Sequence, residues 1–345
     1  MISRLTGGKV LLQNKKKKKY DVVGIGSSIV DILSNCEDNF IIEMQAKKGT
    51  MHLVDESKIL NLTESIKNAD KVSGGSVANT MVGLASFGVS TAFIGKTNND
   101  DLGDFFGEDL RNQGVFYQTM PLDNGSPTAR CIVLVTPDAE RTMFTYLGAS
   151  GFLSSKDISK DLISDSKILY VEGYQWDIDT AREGILSASK QAVQYETKIA
   201  LTLSDPFVVE RHRDSLIPYI NKFVDILFCN QDEIISLFQS QDLDNSISRI
   251  KNSVEVAAVT CGPRGAYTIG KDYSYLTPAY EVSNVIDTTG AGDMFAAGFL
   301  YGYLNKKNNN DSALIGNLVA SEIISYLGAR PKVSLAELSQ KLNIF

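Results

Sequence analysis

The sequence predicts an α/β protein in which two layers of helices cover a mostly parallel central sheet, with a second, small sheet beside it. The first observation is that short apolar runs alternate with helical patterns from about residue 165 onward. Such alternation is typical of parallel strands that are connected by helices. The second observation is that residues 32–54 and 115–146 alternate apolar with polar side chains. This alternation predicts the strands of a small sheet inserted into the N-terminal half.

The elements can be placed in chain order. Residues 20–26 are a short apolar run that ends in glycine, which predicts a buried first strand. Residues 76–87 and 101–113 are predicted helices, and a polar loop over 305–311 joins the last two long helices. The alternating half predicts strands at 167–172, 198–203, 225–229 and 254–260, and helices at 179–194, 208–221 and 231–238. Ligand sites in such folds lie beyond the carboxyl ends of the strands.

Composition limits the classes of function. The chain has 345 residues, 43% apolar and 22% charged, which is typical of a globular protein, and we expect one large domain over residues 20–345. The net charge of −7 argues against broad nucleic-acid binding. Lys15–Lys19 is the exception, and we interpret residues 1–19 as a disordered basic extension. A contact of this run with nucleic acid or anionic lipid stays open.

The sequence also predicts a cytoplasmic protein without a membrane segment. Residues 72–95 are uncharged, but glycine, serine, threonine and asparagine interrupt the apolar run. The four cysteines have no paired spacing, which suits a reducing compartment and gives no zinc site. The two histidines are isolated, so a Ser-His-Asp triad or a histidine ligand set is not expected.

Asp293 is the strongest candidate for chemistry. It is the only charged residue between Asp287 and Lys306, and it opens the apolar segment 294–304, which should be a buried helix. The free amides and the positive dipole end of a helix favour an anion at that point. Backbone donors for an anion beside a carboxylate indicate a phosphoryl-transfer site. The alternative is an acidic residue that only satisfies the helix N-terminus.

Two segments near the predicted N-terminal strands are candidates for binding a polyol. The turn after the first strand lacks the third glycine of a dinucleotide fingerprint, because Ile29 stands there, so we prefer a tight turn over NAD binding. Asp31 follows, and its carboxylate can accept hydrogen bonds from two neighbouring sugar hydroxyls. Gly74 and Gly75 allow a ligand to approach the backbone, and Asn79 lies one turn into an apolar helix. A solvated turn for Asp31 and a structural hydrogen bond for Asn79 are the alternatives.

Two further segments follow strand ends in the second half. Asn230 and Glu233 have the spacing of a capping box, which is the structural alternative to holding water molecules around Mg²⁺ near phosphates. Thr260, Gly262 and Gly265 can line a path for nucleotide phosphates. A simple hairpin turn at that place is equally compatible with the sequence.

Together these segments resemble the ribokinase-like (PfkB) family of carbohydrate and nucleoside kinases, over residues 20–342. The specific signature is the segment 287–293, Asp-Thr-Thr-Gly-Ala-Gly-Asp, and the second is Gly74-Gly75 followed by Asn79. The resemblance implies a ribokinase-like fold whose small sheet is a lid that closes over the substrate and often makes a dimer contact. It also implies ATP and Mg²⁺ as cofactors and a small-molecule nucleoside or sugar as substrate.

The resemblance assigns roles residue by residue. Asp293 would be the general base, and Arg141 would reach the transferred phosphate. The anion hole would consist of the amides of Gly290, Ala291, Gly292 and Asp293. The substrate would contact Asp31, Gly74, Gly75, Asn79, Glu172 and Tyr174. The nucleotide would contact Asn230, Glu233, Thr260, Gly262, Gly265 and Asn317, with Glu233 acting on Mg²⁺ through water. A K⁺ ion beside the anion hole would be held by Asp287 and Thr289, although Lys332 stands where a small residue is common.

Within the family the chain is most similar to the adenosine-kinase-like bacterial members, through segments such as 127–131, 140–149 and 203–206. The implied reaction is the conversion of adenosine to AMP. Glu172 stands where eukaryotic adenosine kinases have an apolar or small residue, whereas sugar kinases of the family often carry an acid. A ribokinase- or fructokinase-type sugar kinase is therefore the alternative, ahead of a ligand sensor without turnover and of a dehydrogenase.

Overall fold

The computed structural model describes residues 17–66, 69–138 and 140–341. The part of the predicted N-terminal extension before residue 17 lies outside these ranges. Lys18, which we expected in a solvated tail, instead bonds to the main chain at Tyr195 (3.0 Å) and to the Thr197 hydroxyl (2.8 Å). The end of the predicted extension is therefore docked on the domain.

Within these ranges the chain forms two sheets, with helices between most of the strands. The strands are β1 (Tyr20–Ile25), β2 (Ile29–Asn35), β3 (Met51–Leu53), β4 (Asp70–Ser73), β5 (Thr91–Ile94), β6 (Phe116–Tyr117), β7 (Ala129–Val135), β8 (Arg141–Tyr146), β9 (Ser166–Glu172), β10 (Lys198–Thr202), β11 (Ile226–Asn230), β12 (Val256–Thr260), β13 (Ala266–Gly270) and β14 (Tyr273–Thr277). The helices are α1 (Asp38–Glu43), α2 (Glu56–Ser65), α3 (Ser76–Ser86), α4 (Asp101–Asn112), α5 (Lys160–Ser164), α6 (Asp179–Gln194), α7 (Pro206–Phe223), α8 (Gln231–Phe238), α9 (Leu243–Ile250), α10 (Ala291–Leu304), α11 (Asn309–Ile323) and α12 (Leu335–Lys341).

The large sheet has nine strands in the order β14-β13-β12-β11-β10-β9-β1-β5-β6. All neighbours from β12 to β6 are parallel, and the hairpin β13–β14 adds two antiparallel strands at one edge. The predicted α/β class with a mostly parallel central sheet is confirmed. None of the helices in the described chain is both long and apolar enough to cross a bilayer.

The three layers follow from strands that are apolar on both sides. Val22 of β1 packs in one core with residues of α3 and α10. Its neighbours Val23 and Ile25 pack in a second core with residues of α6 and α7. Because successive side chains of a strand point to opposite faces, a continuous apolar run is buried by helices on both faces.

The small sheet has the order β3-β8-β7-β2-β4, with β2 and β7 parallel at its centre. The predicted ranges for its strands need three corrections. Residues 38–43 form a helix, and Phe116–Tyr117 joins the large sheet beside β5. The edge strand β4 was missed because its sequence, Asp-Lys-Val-Ser, is mostly polar and exposed, as edge strands often are.

Candidate active site

The candidate site lies where α3 and α10 begin. The two helices pack closely, since a Cβ atom added to Gly83 would lie only 2.8 Å from the Cβ atom of Ala297. The residue before helix α10 is Gly290, whose φ of +78° favours glycine. A Cβ atom there would also lie 2.6 Å from that of Ala329. The sequence therefore allows the first turns of both helices to share contacts.

Asp293, in the first turn of α10, is held by three side chains of α3. Its carboxylate accepts hydrogen bonds from the Ser76 hydroxyl at 2.6 Å and from the Asn79 amide at 3.0 Å. The Thr80 hydroxyl donates to its main-chain oxygen at 3.1 Å. Burial raises the pKa of Asp293 to about 6, although the bonds from Ser76 and Asn79 lower it. A carboxylate with such a pKa is ionised at neutral pH and more basic than an exposed one, which suits a general base.

The amides beside Asp293 form only part of the implied anion hole. The Ala291 amide donates to the Thr288 main-chain oxygen at 3.2 Å, so its hydrogen bond is already made. No acceptor in the described chain bonds to the amides of Gly292 and Asp293, as expected for the first turn of a helix. A Cβ atom on Gly292 would meet nothing within 4 Å. The Gly290 amide has no acceptor in the described chain either, so these amides, unlike that of Ala291, are left for an anion.

The implied K⁺ site does not fit this chain. The Asp287 carboxylate accepts bonds from the amides of Thr289 and Gly328, each at 2.9 Å, and forms an ion pair with Arg141. The Arg141 guanidinium also donates to the Thr289 hydroxyl at 2.6 Å. Burial raises the pKa of Asp287, but these hydrogen bonds and the Arg141 charge outweigh it and lower that pKa. A cation of the protein thus occupies the side chains predicted to bind K⁺, and Arg141 pairs with Asp287 rather than standing free for a phosphate.

Asp31 lies at the same site on strand β2. A Cβ atom on Gly74 would lie 2.6 Å from the Asp31 carboxylate, so the glycine makes room for that carboxylate. Gly75 has a φ of +94°, and a Cβ atom there would meet the Ser27 main-chain oxygen at 2.2 Å. Burial raises the pKa of Asp31 to about 7, and the charges of Arg141 and Arg330 lower it. The structure therefore brings Asp31 into the electrostatic environment of Asp293.

Glu172 lies beside the site and bonds to two backbone amides. Its side chain is buried, and its carboxylate accepts bonds from the amides of Ser27 and Val77, each at 3.2 Å. Burial raises its pKa to about 7, and these bonds lower it. Glu172 thereby ties the turn after β1 to the start of α3, and its predicted contact with a substrate stays a prediction. Tyr174, two residues further along, is 36% exposed, so its ring can contact a ligand.

Asn230 and Glu233 form a complete capping box at the start of α8. The Asn230 side-chain oxygen accepts bonds from the amides of Asp232 and Glu233, each at 2.9 Å. In return, the Glu233 carboxylate accepts bonds from the Asn230 main-chain amide (3.0 Å) and side-chain amide (2.7 Å). The two side chains thus satisfy each other. Their predicted action on Mg²⁺ and phosphates stays a prediction.

Residues 260–265 are the turn of an antiparallel hairpin between β12 and β13. Thr260 donates weakly to the Cys229 main-chain oxygen at 3.5 Å. Gly262 has a φ of +58° with open space around it, whereas a Cβ atom on Gly265 would lie 2.0 Å from the Thr277 main-chain oxygen. The open side at Gly262 leaves the backbone accessible to a ligand.

Asn317 is predicted to lie near the adenine, and the structure gives it a supporting position. Its side chain is buried, and its amide donates to the main-chain oxygens of Thr277 (3.0 Å) and Pro278 (2.9 Å). These bonds fix the segment after β14, which also packs against Gly265. Contact with a nucleotide base stays a prediction.

Sequence reasoning missed three residues of the site, Ser76, Thr80 and Arg330. Ser76 could have been found, because Ser76, Asn79 and Thr80 lie on one face of a helix and therefore share a target. Arg330 gave no such signal. It lies in a loop after α11, yet its guanidinium bonds to the Asn79 side chain and to Asp109.

The acidic residues do not form a dedicated metal cage. No group of three or more His, Cys, Asp or Glu side chains within residues 17–66, 69–138 and 140–341 is arranged to hold a metal ion. Mg²⁺ does not need such a group, because it keeps several waters and binds through one or two carboxylates and substrate phosphates. Bound there, Mg²⁺ would neutralise phosphate charge.

Comparison with known proteins agrees with this geometry. Residues 51–335 match the model of the family described as pfkB family carbohydrate kinase. A probable sugar kinase from Rhizobium etli is 40% identical, with a TM-score of 0.89, over 95% of this chain and 100% of that one. The adenosine kinase from Sinorhizobium meliloti is 39% identical, with a TM-score of 0.88, over 94% and 99%.

A more distant relative is a probable chloroplastic fructokinase from Arabidopsis thaliana. It is 28% identical over 77% of this chain and 73% of that protein. The relatives thus include proteins named as sugar kinases and as a nucleoside kinase. The family match covers most of the chain, and the motif, the fold and the site agree with it. The chain therefore belongs to the pfkB family of carbohydrate kinases and is a phosphotransferase whose acceptor is an alcohol group.

Proposed function

We propose that this protein transfers the γ-phosphate of ATP to the primary hydroxyl of a nucleoside, with adenosine, which yields AMP, as the favoured substrate. The observation that carries the proposal is the Asp293 carboxylate, bonded to Ser76 and Asn79, beside two accessible amides at the start of α10. The resemblance to the Sinorhizobium meliloti adenosine kinase supports the choice of nucleoside.

In the proposed mechanism Asp293 takes the proton of the attacking hydroxyl, and the amides of Gly292 and Asp293 stabilise the migrating phosphoryl group. Fixed donors of this kind act where charge develops, and they do so without reorganisation. General-base assistance contributes about 10²–10⁴-fold in rate. Positioning of the two reactants and charge stabilisation supply the larger part of phosphoryl-transfer catalysis.

The acceptor would lie between Asp31 and the start of α3. The Asp31 carboxylate can accept bonds from two neighbouring ribose hydroxyls, and the backbone at Gly75 is bare enough for close approach. Asn79 retains one N–H beyond the one that it gives to Asp293. Tyr174 offers an aromatic face for the nucleobase.

The nucleotide would lie along the strand ends on the other side of α10. Gly262, with open space around it, and Thr260 are the residues that would line the phosphates. Asn230 and Glu233 would act there on Mg²⁺ through water, beyond their mutual capping bonds. The small sheet would close over the acceptor, exclude water and so limit ATP hydrolysis. Arg141, on β8 of that sheet, connects it to the loop that precedes α10.

A sugar kinase is the second candidate, because the Rhizobium etli protein, named as a probable sugar kinase, is 40% identical over nearly the whole chain. The buried acid at Glu172 no longer argues for a sugar, since it bonds to backbone amides. Both candidates use the same Asp293.

A substrate panel separates the two. ADP release from ATP would be measured with adenosine, other nucleosides, ribose and fructose, for the natural protein and for Asp293→Asn. We expect adenosine to give the highest kcat/KM and the variant to lose turnover with every acceptor. A higher kcat/KM with ribose or fructose would replace the nucleoside assignment, and full turnover in the variant would remove Asp293 from the mechanism.

A further inference from the structure

A chain of polar contacts runs from the surface of α4 to Asp293. Asp109 of α4 forms an ion pair with Arg330. The Nε atom of Arg330 donates to the Asn79 side-chain oxygen at 3.2 Å, and the Asn79 amide donates to Asp293 at 3.0 Å. Three elements and one loop, distant in sequence, thus converge on the carboxylate.

Arg330 and Asp293 together fix which way the Asn79 side chain is turned. A guanidinium can only donate hydrogen bonds, so the atom of Asn79 that faces it must be the amide oxygen. The amide nitrogen then faces Asp293, where it donates to the carboxylate. Without the guanidinium, only the Asp293 carboxylate would hold Asn79 in this orientation.

The position of Arg330 is unfavourable for stability alone. Its side chain is 8% exposed, and its Nη2 atom is buried without a hydrogen-bond partner in the described chain. A buried ion pair often contributes less to stability than apolar residues of similar volume. The buried guanidinium is therefore better explained by a function than by stability.

The charges around Asp293 supply that reason. The groups whose charge or titration interacts electrostatically with Asp293 are Arg330, Asp31, Glu172, Tyr170 and Tyr174. Arg330 is the cation of this set, and the other members are neutral or negative at neutral pH. The Arg330 charge lowers the pKa of Asp293 against the effect of burial.

We propose that Arg330 is a positioning residue for phosphoryl transfer: it orients Asn79 toward the general base and keeps the Asp293 carboxylate ionised. The inference rests on the proposed function, in which Asp293 is that base. Arg330 touches neither substrate in this proposal and acts through Asn79 and through its charge.

The test is the pH profile of kcat/KM for Arg330→Met, with the acceptor that the panel identifies. The acidic limb should move upward by about one pH unit, which corresponds to about a tenfold loss of kcat/KM below the midpoint, with a smaller loss at high pH. Arg330→Lys, which keeps the charge, should restore part of the shift. Asp109→Asn keeps Arg330 itself and should move the limb only slightly.

Arg213→Met is the matched control, because Arg213 bonds to a main-chain oxygen in α8 away from the site. Its profile should equal that of the natural protein. If Arg330→Met and Arg330→Lys lose the same factor at every pH, Arg330 is merely structural and the inference is wrong. Asp293→Asn, measured alongside, separates the two hypotheses: retained turnover there overturns the proposed function, whereas lost turnover with an unshifted Arg330→Met limb overturns this inference alone.

Discussion

Helices α8 and α10 both begin next to the carboxyl end of the large sheet, and each carries an acid at its third position, yet the two acids act in opposite ways. In α8, Glu233 turns back to Asn230, and the box satisfies the first amides. In α10, the residue before the helix is Gly290, which has no side chain, and Asp293 turns away to α3. A capped helix start gains about 1 kcal/mol that the open one forgoes. The open start leaves its amides to a ligand, as the proposed function requires.

The largest expected effect distinguishes the roles of Asp293 and Glu233. Asp293→Asn should lower kcat by about 10²–10⁴-fold, or about 3–5 kcal/mol, because the amide cannot accept the proton of the attacking hydroxyl. Binding of both substrates, measured by calorimetry, should persist. Asp311→Asn is the control, since Asp311 occupies the same third position of α11 and bonds to its cap, Asn308. A loss of kcat in Glu233→Gln as large as that in Asp293→Asn would break the contrast between the two helix starts.

The glycine before α10 can be tested next. Gly290→Ala should lower the free energy of unfolding by about 3 kcal/mol, from a positive φ and from a Cβ atom placed 2.6 Å from that of Ala329. Gly262 is the control, because it also has a positive φ, +58°, but has open space around it. Gly262→Ala should therefore lower the free energy of unfolding by only about 1 kcal/mol. Urea unfolding of both variants gives the difference. Equal losses in the two variants would mean that Ala329 moves aside for the new Cβ atom. Glycine would then be required at position 290 only for its positive φ.

Much of the difference between the two helix starts could be predicted from the sequence, because it depends on residues that are close together in the chain. The box at Asn230 and Glu233 depends on residues three apart, and the glycines before Asp293 precede an unmistakably apolar helix. The parallel strands were recognisable because burial on both faces makes them continuous apolar runs. The polar edge strand β4 and the hairpin β13–β14 lack that pattern, and they were not predicted.

The rest depends on which distant residues meet. Arg141 and Asp287 lie 146 positions apart, and their pairing exists only because the small sheet is laid against the loop before α10. The sequence therefore suggested a K⁺ site where the structure has a guanidinium. Likewise, nothing local in the sequence indicates that the Glu172 carboxylate accepts hydrogen bonds from the amides of Ser27 and Val77.

The buried acid of α8 should also make stability depend on pH. Burial raises the pKa of Glu233 to about 7, so the folded protein holds the proton more tightly than the unfolded chain does. Stability is then greatest below the unfolded pKa of about 4.5 and is lost as the pH rises through about 7. Glu233→Gln should reduce this loss by about 1–3 kcal/mol in urea titrations across that range. Glu210→Gln, an exposed site on α7, should keep the natural slope. A slope that Glu233→Gln leaves unchanged would show that other buried acids are responsible.

The smallest effect tests whether the start of α8 is only a cap. Asn230→Ala should destabilise the fold by about 1 kcal/mol, because two amides of α8 lose their acceptor. Asn308→Ala removes the corresponding cap of α11, and Asn308 is exposed. This substitution should destabilise the fold less, because the capping partner of Asn230, Glu233, is buried, whereas the partner of Asn308, Asp311, is not. Steady-state kinetics then discriminates between the two roles of Asn230. If the KM for ATP rises in Asn230→Ala but not in Asn308→Ala, Asn230 contacts the nucleotide. If the two variants have equal KM values, Asn230 is only a helix cap, and the proposed chemistry is confined to the uncapped start of α10.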